Sequence, residues 1–227
     1  VLVVGNIVYA QTGANNLGIN VTGNGEARNN VVYDNYTGIA GSGIARGNRV
    51  FHNTVNGISM GAGAQIEGNF TYDNGGAGIY GANLPNNATR GPWIRNNLVY
   101  RNGTYGIQLQ GGADSDVTNN TVYQPAGLGG VYIQNGNYSS NTYNVQVRNN
   151  VVWVVAGSAI QVDEGNHPLL GFDYNNLYFT GAGKAAQWGT RDFTTVAEWY
   201  YEFGFDAHSI SADPFFVDID GADNLLG

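Results

Sequence analysis

Short runs of alternating apolar and polar residues recur along the whole chain. The clearest run is RNNVVYDN from Arg28 to Asn35. In this run an Asn is followed by one variable residue, then usually by a Val, and then by an aromatic residue. Intervals between the repeated Asn range from 18 to 30 residues. The repeated positions are Asn6, Asn30, Asn48, Asn69, Asn97, Asn120, Asn150 and Asn176. A period in the twenties with variable gaps is typical of a solenoid whose coils carry loops of different length.

Two further alternating runs accompany each repeated Asn. One is a small residue followed by an aliphatic one, as in GISM from Gly57 and GIYG from Gly78, and the other precedes the next Asn, as in VQVRNN from Val145. No segment of these coils keeps a 3.6-residue apolar stripe for two turns, so strands are predicted rather than helices. About three short strands per coil predict an all-β fold, a right-handed parallel β-helix of about eight coils over residues 1–190.

The recurring Asn predicts a ladder inside the solenoid. Coils stack at about 4.8 Å, the spacing between strands, so equivalent residues lie above one another. An inward Asn can donate its side-chain amide to the Asn of the next coil and satisfy polar groups at a turn. We expect Asn30, Asn48, Asn69, Asn97, Asn120 and Asn150 to stack in this way. The aromatic residues should stack similarly, in a structural role: Tyr9, Tyr33, Phe51, Tyr72, Tyr100, Tyr123, Trp153 and Phe179.

Composition narrows the class of protein. The chain has 227 residues, 42% of them hydrophobic, and 35 Gly that fall at turns, which fits one ordered domain. Its net charge of −8 argues against nucleic acid, which needs a basic surface. No run of 18 apolar residues occurs, so no membrane span is predicted. Cysteine is absent, so disulfides give no information on the redox compartment.

Longer loops begin after about residue 80. Four of them, Gly81–Pro92, Gln110–Asp116, Gln134–Asn144 and Asp163–Gly171, lie between the second and third strands of their coils. They should therefore project from one edge of the solenoid. Long loops on a rigid scaffold often carry function, whereas the first three coils have neither long loops nor clustered charge.

The repeat ends after Gly181, and residues 191–227 are predicted to form a cap helix and extended tail of the same domain. Thr195 and Glu198 form a capping-box pattern, and Gly204 ends the predicted helix near Phe203. Trp199 and one or both of its aromatic neighbours, Tyr200 and Phe203, should cover the last coil and its sheet edge. Both ends of the sequence read as interrupted coils, and we expect a piece of a longer protein.

In these repeated motifs the coils resemble the broad right-handed β-helix repeat family, which includes polysaccharide lyases and alginate epimerases. The tail EWYYEFGFDAHSISADPFFVD resembles the segment that ends β-helix domains of the choice-of-anchor Q group, often bacterial surface proteins. These resemblances imply a fold and a secreted or cell-surface location. They imply no catalytic residue, because the Asp-Pro-His-Asp motif of the epimerases and the Lys and Arg motifs of the pectate lyases are absent.

The corner loops hold the residues from which a site can be predicted. Chemistry on uronic acids needs a cation to neutralise the carboxylate, a base and an acid. His167 and Arg90 are the candidates for proton transfer, and Trp93 and Tyr138 could stack on sugar rings, although local packing also explains these two. Oxygen ligands for Ca²⁺ are predicted at Asp114, Asp116, Asp163 and Glu164. We expect one acidic cleft here, with solvated loop acids as the simpler interpretation.

A second charged feature lies two residues before the ladder Asn. Arg28, Arg46, Glu67, Arg95, Thr118 and Arg148 share this position and should form an outward stripe. It reads either as exposed ion pairs worth a few tenths of a kcal/mol each, which we favour, or as a basic groove for an acidic glycan. Lys184, the only lysine, lies near Trp188, Arg191 and Asp192 and is a further candidate base.

Together these patterns predict an extracellular β-helix that binds or modifies an extended polysaccharide, lyase-like if it is an enzyme. A solenoid offers a long regular surface that matches a long regular polymer. The alternative is a non-catalytic surface or adhesive module, favoured by the sparse charge. Release of unsaturated sugar ends from uronate polymers would distinguish the two.

Overall fold

The chain winds through three parallel sheets, A, B and C, in that order and eight times. The structure, a computed structural model, describes residues 1–81, 90–111, 113–136, 143–165 and 168–216. Over these residues the predicted class is confirmed: an all-β parallel β-helix of eight coils with one short helix near its end.

Each sheet takes one strand from every coil. Sheet A consists of Leu2–Val4, Glu26–Arg28, Ile44–Arg46, Gln65–Glu67, Trp93–Arg95, Ala113–Thr118, Tyr143–Arg148 and Gly171–Asp173. Sheet B consists of Ile7–Tyr9, Val31–Tyr33, Arg49–Phe51, Phe70–Tyr72, Leu98–Tyr100, Thr121–Gln124, Val151–Val154 and Asn176–Phe179. Sheet C consists of Leu17–Val21, Thr37–Gly41, Ile58–Met60, Ile79–Gly81, Tyr105–Gln110, Gly129–Gln134, Ser158–Val162, Lys184–Trp188 and the antiparallel strand Arg191–Phe193.

The core is a column of aliphatic side chains that runs along the solenoid axis. Successive residues of a strand point to opposite faces. The middle residue turns inward in the three-residue strands of sheets A and B, whereas the first and third residues turn inward in those of sheet C. Ile66, Thr71 and Ile79 are the inward residues of the fourth coil, and all three are fully buried. In-register stacking places the same position of each coil above the last.

The Asn ladder lies at the turn from sheet A to sheet B. From one coil to the next, Asn Nδ2 donates to Asn Oδ1 over 2.9–3.2 Å, and the backbone N–H of the same Asn donates to that oxygen. The stacking predicted for Asn30 through Asn150 is confirmed, and these side chains are buried. The residue before each ladder Asn has a positive φ, which explains why Gly or Asn usually occupies it.

The predicted register of the eighth coil was wrong by one residue. The ladder continues from Asn150 to Asn175, not to Asn176, which instead begins the strand of sheet B. Tyr178, not Phe179, accordingly pairs with Trp153 on the outer face. A shift of one residue moves every side chain of a strand to the opposite face, so both errors have the same cause.

The outer face of sheet B carries the predicted stack of aromatic residues. Rings from Tyr9 to Tyr100 lie nearly parallel at 4.9–5.3 Å, with interplanar angles of 3–9°. The Tyr123–Trp153 and Trp153–Tyr178 pairs are tilted by 48–54°. Because parallel rings cover one another, the stack stabilises the sheet.

A second ladder, which the sequence analysis missed, lies at the turn from sheet B to sheet C. Asn35, Asn53, Asn74 and Asn102 donate one to the next, and Gln124 Oε1 accepts from the Asn102 N–H at 2.8 Å. Its signal is the DN, HN or RN pair that ends each run. The same ladder explains the recurring small residue of sheet C, since a Cβ at Gly78 would lie 2.6 Å from both Asn102 Nδ2 and a Val99 methyl.

The helix Val196–Phe203 covers the end of the solenoid as predicted. Its capping box joins Thr195 and Glu198, and Gly204 ends it in the left-handed conformation. Trp199 is fully buried. Its ring contacts Phe172 of sheet A, Phe193 and Trp188 of sheet C, and Phe203 and Phe205. Of its two aromatic neighbours, Phe203 packs on Trp199, whereas Tyr200 is exposed.

The chain after the helix closes the first ladder. Asp206 is 2% exposed and accepts hydrogen bonds from Asn175 Nδ2 at 2.9 Å, Trp199 Nε1 at 3.1 Å and Ser209 Oγ at 2.5 Å. Burial raises the pKa of its carboxyl group, against the opposing effect of these donors. Ile210 then bridges to Asn176 of sheet B, so the tail and the helix together cover the last coil. The resemblance of this segment to the choice-of-anchor Q group stays a prediction.

Candidate functional site

The corner between sheet C and sheet A holds most of the predicted site residues. Three of the four predicted loops connect a strand of sheet C to the next strand of sheet A, as expected. The fourth is wrong: Ala113–Thr118 is a strand, so Asp114 and Asp116 lie in sheet A rather than in a loop. His167 and Tyr138 fall outside the described residues.

On the sheet A side, five polar residues line an open depression of about 340 Å³: Arg90, Asp114, Asp116, Asn144 and Gln146. The Arg90 guanidinium lies 3.6 Å from the Asp116 carboxylate, and Asn144 Nδ2 donates to Asp114 Oδ1 at 2.5 Å. Gln146 Nε2 donates to Asn144 Oδ1 at 3.3 Å. We call these five residues the corner site.

Two arginine side chains lie over the Trp93 ring, so its face is not free. The Arg90 guanidinium lies 3.4 Å from the centre of its ring, and that of Arg95 lies 4.8 Å away. Stacking with a guanidinium is favourable because the ring face is negative. A sugar that stacked on Trp93 would therefore compete with these arginines, and the ring is better suited to position Arg90 beside the depression.

The outer face of sheet C carries a row of tyrosine and glutamine side chains, which we call the tyrosine–glutamine face. Tyr80, Gln108, Tyr132 and Gln161 are in register across four consecutive coils. All four are half-buried. The row was present in the sequence as the outward residues of GIYG, GIQL, GVYI and AIQV, but the alternation was interpreted only as strand pattern.

Hydrogen bonds between coils hold this face in place. Gln108 Nε2 donates to Gln134 Oε1 at 2.7 Å, and Tyr105 Oη donates to Gln161 Oε1 at 3.1 Å. The Tyr80 hydroxyl donates to Gln110. Burial raises the pKa of Tyr80 and of Tyr105, so both phenols are neutral donors around neutral pH.

Asp163 belongs to the tyrosine–glutamine face. Its carboxylate accepts from the Tyr132 hydroxyl at 2.5 Å and from the Asn135 backbone N–H at 2.9 Å. Burial first, and then this hydrogen bond to Asp163, raise the pKa of Tyr132. The phenol is thereby kept protonated next to a carboxylate.

The four predicted calcium ligands are thus divided between different surroundings. Asp114 and Asp116 contact corner-site residues, Asp163 contacts Tyr132, and the backbone carbonyl of Glu164 accepts from the Asn135 side chain at 3.0 Å. Within the described part of the chain, no three His, Cys, Asp or Glu residues are grouped so that they could hold a metal ion. Calcium binding stays a prediction.

The other predicted charged features engage in ion pairs. The stripe of Arg28, Arg46, Glu67, Arg95, Thr118 and Arg148 is in register, and it extends to Asp173. Arg46 pairs with Glu67 at 3.3 Å and with Glu26 at 3.7 Å, while Arg95 turns to Trp93 instead. Lys184 pairs with Asp192. Pairs this exposed add little stability.

A family model and a solved structure with a TM-score above 0.5 agree with this architecture. The family described as Right handed beta helix region matches residues 17–177. Among solved structures, the A-module of the mannuronan C-5 epimerase AlgE6 of Azotobacter vinelandii is 17% identical with a TM-score of 0.68. The alignment covers 94% of this chain and 59% of that module, so the chain spans about three-fifths of its length. The Agl-KA catalytic domain is 15% identical with a TM-score of 0.44, over 85% of this chain and 46% of that domain.

A search of the curated proteins gives no match. In the residues that the structure describes, no helix has the length and apolar character needed to span a membrane. The likeness to the epimerase module shows the fold alone, since the identity is low. With eight coils, two polar ladders and a family match over residues 17–177, this chain belongs to the right-handed β-helix family.

Proposed function

We propose that this protein binds an extended polysaccharide along the tyrosine–glutamine face, next to the corner site. The observation that carries the proposal is the in-register row Tyr80, Gln108, Tyr132 and Gln161. At about 4.8 Å per coil the row is about 14 Å long, which suits a few sugar units.

The chemistry of the face fits a sugar polymer. Phenol and amide groups both donate and accept hydrogen bonds, as sugar hydroxyls require. Contacts such as Gln108–Gln134 orient the side chains before a ligand arrives, which lowers the entropic cost of binding. Arg90, held over Trp93 at the edge of the corner site, supplies a cation for a uronate carboxylate.

A more specific form of this proposal is that the protein catalyses a lyase-like or epimerase-like reaction. Such a reaction removes the proton at C5 of a uronate and, for elimination, protonates the leaving oxygen. On the tyrosine–glutamine face, Asp163 is the carboxylate and Tyr132 the protonated phenol beside it. We assign these two residues the roles of base and acid, and Arg90 the role of neutralising the uronate. A secreted or cell-surface location follows from such a substrate and stays a prediction.

The alternative is a non-catalytic surface or adhesive module that binds the polymer without altering it. This alternative is favoured by the ion pairs that the candidate charged residues already form with one another. Asp116 pairs with Arg90, and Lys184 pairs with Asp192. Binding and reaction must therefore be measured separately.

The test combines affinity electrophoresis with absorbance from unsaturated ends, using alginate, pectate and the neutral polymer xylan. Retardation by at least one polymer is expected, and Tyr132→Phe combined with Gln161→Ala should weaken it. Tyr201→Phe, on the exposed side of the cap helix, is the matched control. If a polymer retards the protein but neither absorbance from unsaturated ends nor epimerised product by NMR is detected, the protein is the non-catalytic module. Retardation by none of the polymers, or retardation that the double variant leaves unchanged, would refute the proposed face.

A further inference from the structure

An exposed aromatic residue breaks the pattern of the turn from sheet A to sheet B. The residue before the ladder Asn has a positive φ of 53–66° in all eight coils, and it is Gly or Asn in the first seven. In the eighth it is Tyr174, with φ 57° and 55% of its surface exposed. A bulky side chain is unfavourable in this conformation. The turn itself therefore does not favour a tyrosine here.

The Tyr174 ring is held against a second ring. His208 of the tail stacks on it, with centroids 5.0 Å apart and an interplanar angle of 9°. Asp173 orients the imidazole: its carboxylate contacts His208 Nδ1 at 2.8 Å and accepts from the His208 backbone N–H at 2.8 Å. Burial by itself would raise the pKa of Asp173, but the hydrogen bonds from His208 and from the Tyr174 N–H outweigh it and lower the pKa, so the carboxylate is charged near neutral pH.

The two rings border an open depression of about 410 Å³. Its floor is formed by the turn residues of the last two coils, and Val151 and Ile210 add apolar surface. At its edge, the side-chain amide of Asn149 is exposed and has no hydrogen-bond partner among the described residues. The depression thus combines an aromatic platform, a small apolar area and a free amide.

We infer that this depression, the Tyr174–His208 site, binds one pyranose unit of a neutral glycan. Apolar faces of sugars pack on aromatic rings, while their hydroxyls need donors and acceptors such as the Asn149 amide. The charged Asp173 carboxylate next to the rings disfavours a uronate. The inference does not rest on the proposed polysaccharide face, which lies on sheet C, whereas this site lies at the turn from sheet A to sheet B.

The chain offers a direct probe, because it contains only three histidines. We would titrate the protein with cellohexaose and follow the histidine ring signals by ¹H–¹³C NMR. The His208 signals should shift and saturate, and those of His52, which directly follows the third strand of sheet B, should not. Hexamannuronate should bind this site more weakly than cellohexaose does.

Tyr174→Asn is the decisive variant, since it restores a residue that other coils carry at this turn and so preserves the fold. It should weaken cellohexaose binding about five- to tenfold, as expected for the loss of one aromatic stacking contact. Tyr201→Asn is the matched control and should leave the affinity unchanged. The Tyr132→Phe, Gln161→Ala double variant should also leave the His208 shift unchanged, which separates this site from the sheet C face. Unshifted His208 signals, or equal affinity after Tyr174→Asn, would overturn the inference.

Discussion

Replacing Asn97 by Ala tests how much the first ladder contributes to stability. Asn97 is 2% exposed, and its Oδ1 accepts from both the backbone N–H and the Nδ2 of Asn69, at 2.9 and 3.0 Å. Its Nδ2 donates to the Ile66 carbonyl at 3.0 Å and to Asn120 Oδ1 at 2.9 Å. The substitution removes all four contacts at once.

The cost comes chiefly from two groups that are left buried. The Asn69 N–H loses its acceptor and the Ile66 carbonyl loses the side-chain donor, whereas Asn69 Nδ2 keeps Ala45 and Asn120 Oδ1 keeps the N–H of residue 97. An unsatisfied buried group costs about 1–3 kcal/mol. Because a water molecule that entered the vacated space would recover part of this, the expected loss of unfolding free energy is about 2–4 kcal/mol.

Asn6→Ala is the matched control, because it makes the same change at the exposed first rung. No described residue donates to Asn6 Oδ1, and its Nδ2 bonds are exposed or part-buried. This variant should therefore lose less than about 1 kcal/mol. Urea titrations followed by circular dichroism would measure both variants, with the slope m compared to check that unfolding stays cooperative. A difference between the two variants below about 0.5 kcal/mol would refute the ladder's energetic role.

Three further predictions concern the cap, its acid and calcium. Truncation after Gly189 removes Trp199 and the other rings that cover the last coil, so self-association is expected by light scattering; a monomer of unchanged stability would show that the segment is no cap. Asp206 has a raised pKa in the folded state, so the stability it contributes is complete below its unfolded pKa of about 3.9 and is lost as pH rises through the folded pKa. The destabilisation caused by Asp206→Asn should accordingly shrink between pH 3 and pH 7 in thermal unfolding, and a penalty that grows would contradict this sign. Calorimetry should detect Ca²⁺ binding that Asp163→Ala with Glu164→Ala abolishes, and no heat with either protein would reject the predicted metal.

The residues of the fold that could be predicted are those whose position repeats. Asn30 to Asn150 recur in phase, and the alternation within each short strand tells which side faces inward, so the coils and the first ladder followed from the sequence alone. The cap helix was also predictable, since Thr195, Glu198 and Gly204 act within a few residues of one another. In the eighth coil the doubled Asn, Asn175 and Asn176, made the register ambiguous, and the predicted ladder position was wrong by one residue.

The candidate sites depended on contacts between coils, which no local pattern reports. Asp114 and Asp163 were expected in one cleft because both were assigned to loops of the same corner, but Asp114 lies in a strand of sheet A and Asp163 turns to Tyr132, 31 residues away. His208 meets Tyr174 only because the tail folds back over the last coil, 35 residues beyond Asp173. The periodic sequence by itself therefore determined the scaffold, through strand alternation and stacking. Only the tertiary structure decided which side chains meet, because contacts between coils and the path of the cap join residues that are far apart in the sequence.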